Sequence, residues 1–120
     1  MEMHGISVHV VDVSRGLVAQ GLAVRLEHLS THGRIVLIAS RIGARGTLEE
    51  LDDLKSQCVP GTYEATFSVG DYYRRAGVSM PTVPFLDEVP YRFGLADSGQ
   101  HYHLPFKMTP WGFSCFRGGA

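Results

Sequence analysis

The sequence predicts an all-β protein, a sandwich of two antiparallel sheets with about eight short strands and one short helix. Two observations point there. Apolar residues recur with a period of two in segment after segment, and glycine and proline punctuate those segments at short intervals. The 3.6-residue period of an amphipathic helix is scarce. The length of 120 residues adds a limit: one domain, 1–120, closing around one core.

The elements follow in order. Ile6, Val8 and Val10 alternate with Ser7, His9 and Val11, which predicts a strand with one face in a core. After a turn at Arg15 and Gly16, Leu22, Val24 and Leu26 alternate with Ala23, Arg25 and Glu27 and predict a second. Residues 34–40 form a β-branched apolar run that ends in the glycine-bearing loop 43–46. Pro60 and Gly61 open the clearest strand, with Tyr63, Ala65, Phe67 and Val69 on one face and Thr62, Glu64, Thr66 and Ser68 on the other. Asp71 is placed to cap a helix of one or two turns, and Gly77 to stop it in the left-handed conformation. Pro84 and Pro90 mark an edge approach to a strand at 91–96. Two last strands, 101–108 and 112–116, are joined by a tight turn at Thr109, Pro110 and Trp111.

Composition narrows the function. The 44% hydrophobic and 19% charged content is that of a globular chain. A net charge of −1 with scattered basic residues argues against a nucleic-acid partner. The apolar runs are too short to span a membrane, and Met1, Glu2, Met3 and His4 form no basic-then-apolar leader, so a soluble cytoplasmic protein is expected. Cys58 and Cys115 lack a C-x-x-C spacing and are expected to be free thiols in a reducing compartment.

Chemistry-bearing residues lie on the outward strand faces. On the first strand His9 points away from the core with Ser7 and Val11. Near the C-terminus His101, His103, Pro105 and Lys107 share one face, and Tyr102, Leu104, Phe106 and Met108 take the core face. Histidine exchanges protons near neutrality, so this face is a candidate for acid–base work, and a solvated strand face is the plain alternative. The spacing of His101 and His103 also suits two imidazoles on one zinc or copper ion with His9 as a third ligand, but that face has no Asp or Glu and no Cys is nearby, so this is the weaker functional reading and no cofactor is expected.

Several stretches carry a family resemblance. They are His9 to Asp12 with Arg15 and Gly16, then Pro60 to Tyr63, then His101 to Pro105, Thr109 to Ser114 and Phe116 to Gly118. Together they resemble the transthyretin-like family of 5-hydroxyisourate hydrolases, from about Ile6 to Gly119. The resemblance implies an eight-stranded sandwich with one helix. It also implies a homotetramer with active sites at the subunit interface, where His9 and His103 face each other across a channel.

The sequence departs from the family pattern in the substrate contacts. Thr47 stands where the family has an arginine, with Arg45 two positions earlier. Phe116 and Gly119 replace a tyrosine and a serine beside Arg117, and Lys107 stands where an apolar residue is usual. Lys107, or Arg45 reaching in from its loop, is expected to supply the missing positive charge for an oxyanion. A lysine cannot reproduce the planar two-donor grip of arginine, so substrate preference can shift.

The expected function is hydrolysis of a cyclic amide in a purine-derived ring, as in urate breakdown. His9, His103 and Lys107 are the catalytic candidates, and Arg45, Thr47, His101, Ser114, Phe116, Arg117 and Gly119 the substrate contacts. The expected partner is a small heterocyclic substrate. Two alternatives remain: a diverged paralogue acting on another heterocycle or carbonyl compound, and a non-catalytic small-molecule carrier.

Overall fold

The computed structural model describes residues 5–118. The segment 1–4 and Gly119 lie outside them. Eight strands form: β1 Gly5–Asp12, β2 Leu17–Val18, β3 Ala23–Ser30, β4 Gly33–Arg41, β5 Gly61–Ser68, β6 Glu88–Leu95, β7 His101–Thr109 and β8 Gly112–Cys115. One α-helix, α1 Val69–Arg75, follows β5, and a 3₁₀ segment, Glu49–Gln57, follows the glycine loop.

The strands make two four-stranded sheets, ordered β2-β1-β7-β8 and β4-β3-β5-β6. The inward side chains of both close one core, in which Phe67 of one sheet stacks on Phe106 of the other at 3.9 Å between ring centres. Tyr63, Ala65 and Phe67 are fully buried, as the alternation on β5 predicts. Pro90 lies on β6, an edge strand, where a missing N–H is tolerated.

Four features differ from the sequence expectation. The first is that β1 pairs with β7 in parallel, within an otherwise antiparallel arrangement. Parallel neighbours cannot be joined by a tight turn, and here nearly the whole chain separates them. The second is the 3₁₀ segment. Leu48 and Leu51 are buried and Leu54 packs against the core, a spacing of three that suits the three-residue turn.

Third, the helix begins earlier than Asp71 predicts. Ser68 is the N-cap residue without a side-chain bond, and Asp71 sits in the first turn. The stop falls where expected: Gly77 has φ +81°, and the amides of Gly77 and Val78 donate to the carbonyls of Arg74 and Tyr73. Fourth, the outward residues Glu64 and Thr66 of β5 are buried. Arg34 and Arg92 converge on Glu64, Arg34 at 2.7 Å, and cover that part of the sheet.

A second buried acid anchors the end of β1. Asp12 is fully buried; Ser14 and Tyr73 each donate to one carboxylate oxygen at 2.6 Å, and Arg15 donates to the other at 2.7 Å. Burial alone raises its pKa, but the bonds from Arg15, Ser14 and Tyr73 outweigh that and hold the carboxyl below its ordinary range. The network fixes β1 against α1 and sets the height at which the strand's outward side chains emerge.

Candidate active site

The site grows from the parallel β1–β7 pair. Its register sets Ser7 opposite His103, His9 opposite Pro105 and Val11 opposite Lys107. Because side chains alternate, Ser7 and His9 share the outward face with His101, His103 and Lys107, while Val8, Val10, Leu104 and Phe106 fill the core. His9 and His103 are therefore diagonal neighbours on adjacent strands, about 8 Å apart along the backbone. Both are half-buried.

Ser7 ties two of these imidazoles together. Its Oγ lies 2.7 Å from Nε2 of His101 and 2.6 Å from Nδ1 of His103. A hydroxyl has one proton, so it donates to one ring and accepts from the other. Burial, then the nearby His101 and His9, hold His103 below the ordinary imidazole pKa. That shift favours the neutral ring, the state a general base needs.

Two glycines fit the backbone around the histidines. Gly46 has φ +82°, and a Cβ there would sit 2.9 Å from Nε2 of His9 and 2.8 Å from Cγ1 of Val18. The amide of Val10 donates to the Gly46 carbonyl at 2.8 Å, and Thr47 forms an isolated antiparallel bridge with His9, so the loop is pinned to β1 at this point. Gly118 plays the matching part on the other side. Its amide donates to the His103 carbonyl at 2.7 Å, and a Cβ there would meet Cδ2 of His103 at 2.9 Å.

The remaining candidates spread around this centre. Thr47, bridged to His9, is half-buried. Arg45 is exposed and lines an open groove of about 550 Å³ with Ser7 and Thr47. Lys107 shares the face of His103 but stands four residues on, roughly 13 Å along the strand, with its ammonium 6.0 Å from the centre of the Phe116 ring. Ser114 is the cross-strand partner of Lys107 and is exposed. Arg117 turns aside: its guanidinium stacks 4.0 Å from the centre of the Tyr102 ring and donates to Gln100 at 3.0 Å and to the His101 carbonyl at 3.3 Å.

Residue patterns do not single out Ser7, Gly46 or Gly118 as parts of a site. Alternation does place Ser7 on the face of His9, and that is the signal available for it. The glycines read only as loop and tail residues until the ring positions are known. Among the described residues no three His, Cys, Asp or Glu side chains converge to hold a metal ion. No helix among them is long and apolar enough to cross a membrane. Both cysteines are free thiols.

Comparison with known proteins places the chain in a family. The profile of the HIUase/Transthyretin family matches residues 6–118. A 5-hydroxyisourate hydrolase of Ralstonia nicotianae is 40% identical over 116 residues, covering 97% of this chain and 99% of that protein. The solved structure of Klebsiella pneumoniae 5-hydroxyisourate hydrolase superimposes with a TM-score of 0.76 at 26% identity, over 98% of this chain and 100% of that one. An (S)-allantoin synthase structure reaches a TM-score of 0.85 at 30% identity over 96% of this chain, which spans 43% of that protein's length. With the sandwich, the histidine-bearing strand pair and a match over almost all of its length, the chain belongs to the HIUase/transthyretin family.

Proposed function

We propose that the protein is a hydrolase of the 5-hydroxyisourate type, which opens a cyclic amide of a purine-derived ring with water. The observation that carries this reading is the half-buried His103 lying diagonally from His9 on one strand face, in a chain 40% identical to a 5-hydroxyisourate hydrolase. Nε2 of His103 takes a proton from water as the oxygen attacks the ring carbonyl carbon, and the carbonyl electron pair moves onto its oxygen. When the C–N bond breaks, His9 and His103 share delivery of a proton to the departing nitrogen.

Positive charge near the developing oxyanion supplies the electrostatic part. Arg45 precedes the Gly46–Thr47 stretch that meets β1, and Lys107 lies on the histidine face of β7. Arg45 lines a groove with Ser7, Thr47 and Glu49, and Lys107 stands diagonally from His9 across the β1–β7 register as His103 does, so either is placed to supply the charge. Thr47, Ser114 and Phe116 complete the contact surface, Arg117 braces the tail, and Gly119 follows the glycine that covers His103. No cofactor enters this chemistry.

Among the described residues no further sheet packs on the histidine face, and Trp111, Phe113 and Phe116 of the β8 region are exposed large apolar residues at a sheet edge. Apposition of further copies, as a homotetramer with sites at the interface, buries both features. Free thiols accord with a cytoplasmic setting.

Generating 5-hydroxyisourate with uricase and following its ultraviolet decay tests the proposal. Decay well above the spontaneous rate is expected, and decay at that rate rejects it. One observation favours a second reading. Thr47 beside His9 removes the two-donor grip on a urate-like ring, which suits a diverged paralogue acting on a different heterocycle or carbonyl compound. A substrate screen that turns over such a compound faster than 5-hydroxyisourate selects that reading; binding without turnover selects the carrier.

A further inference from the structure

We propose that Ser7 is the positioning residue of the site, accepting a hydrogen bond from Nδ1–H of His103 and donating its own proton to Nε2 of His101, which leaves Nε2 of His103 bare. The proposal rests on the reading of His103 as the base.

The geometry allows two proton arrangements. If the hydroxyl donates to His103, the ring carries its proton on Nε2 and presents a donor to the substrate. If the hydroxyl accepts from His103 and donates to His101, Nε2 of His103 is a lone pair able to take a proton from water. The distances of 2.6 and 2.7 Å fit both. The base role selects the second. His101 then serves as the acceptor that orients the hydroxyl, instead of a substrate contact.

The surroundings support a fixed ring. The β1–β7 ladder holds the Ser7 backbone directly opposite His103, and the two short bonds to His101 and His103 select the rotamer of its hydroxyl. Gly118 closes on Cδ2 from the other side, and its amide holds the His103 carbonyl at 2.7 Å. The ionisable groups sharing the face are His9 on β1 and His101 and Lys107 on β7. When Nε2 gains a proton, the Nδ1–H bond to Ser7 becomes charge-assisted and shortens the path to the imidazolium intermediate. The arrangement is that of a triad in which a second imidazole takes the orienting place of a carboxylate.

Nitrogen-15 NMR of the imidazoles in the native protein reads the arrangement directly. His103 is expected to show Nδ1 protonated and Nε2 bare near pH 7.5. In Ser7→Ala, and in His101→Phe where the hydroxyl is released to donate to His103, the signal is expected to move to the Nε2–H form. The turnover number should fall roughly tenfold or more with KM changed by less than about threefold, and Ser7→Thr should restore both readouts. A native His103 protonated on Nε2, or an unchanged tautomer in a folded Ser7→Ala, overturns the proposal. Because the tautomer is read without substrate, failure to hydrolyse 5-hydroxyisourate overturns the functional reading and leaves this one standing.

Discussion

Replacing Gly118 by alanine adds one methyl group against the ring that does the proposed chemistry. The new Cβ would stand 2.9 Å from Cδ2 of His103, 3.3 Å from Cδ of Pro105 and 3.4 Å from the His103 carbonyl oxygen. Carbon atoms pack comfortably at about 3.5–4.0 Å, so the imidazole must recede by roughly 0.6–1 Å. The backbone does not resist alanine there, since Gly118 is not among the positive-φ residues. The cost to stability is that of a displaced rotamer, about 0.5–1.5 kcal/mol, which lowers Tm by only a few degrees. Catalysis is far less forgiving: a misplacement of this size can lower kcat by up to about a hundredfold. Steady-state decay of 5-hydroxyisourate and a thermal unfolding curve on the same sample separate the two effects. A folded Gly118→Ala with kcat within twofold of the native protein refutes the claim that this glycine sets the position of His103.

Gly46→Ala should behave in the opposite way, because its φ of +82° and the 2.8 Å approach to Val18 strain the fold itself; a loss of roughly 2–4 kcal/mol is expected in denaturant unfolding. Of Arg45→Met and Lys107→Met, with the fold intact in both, the one with the larger loss of kcat in steady-state kinetics identifies the cation at the oxyanion, and an unchanged kcat in both refutes a charge from either. Burial, with His101 and His9, depresses the His103 pKa below 6.5, so kcat/KM should hold above that pH and fall as His103 protonates on the acid side. Stability follows the same sign in calorimetry: the contribution of His103 is complete above pH 6.5 and is lost as pH falls toward its folded value. Asp12→Ala leaves the buried Tyr73 hydroxyl without its acceptor, while Arg15 keeps solvent and Tyr72, and should cost about 1–3 kcal/mol; in the native protein the contribution of Asp12 is present above its ordinary pKa of 3.8 and disappears as pH falls through its lower folded value.

The strands were legible in the sequence because burial on one face writes a period of two, and β5 and β7 show it most plainly. The helix stop was legible through Gly77, since a left-handed terminator needs glycine. Ser7 was visible as a face-mate of His9, but its bridge to His101 and His103 depends on a parallel pairing between segments more than 90 residues apart. No local pattern encodes that pairing or its register. The buried Glu64 likewise read as a surface residue, because the arginines that cover it come from β4 and β6. Gly46 and Gly118 matter through what touches them, which only tertiary contact reveals. The resemblance to a known family pointed to His9 and His103 together, whereas composition and spacing alone left them on two unrelated faces.

A double-mutant cycle on His9→Ala and His103→Ala, read as kcat/KM on 5-hydroxyisourate with each variant's fold checked, asks whether the two imidazoles serve one reaction. The account predicts a loss of roughly a hundredfold or more from each single change, and a double variant little worse than the poorer single. Full activity in either single variant, or losses that simply multiply in the double, would contradict it.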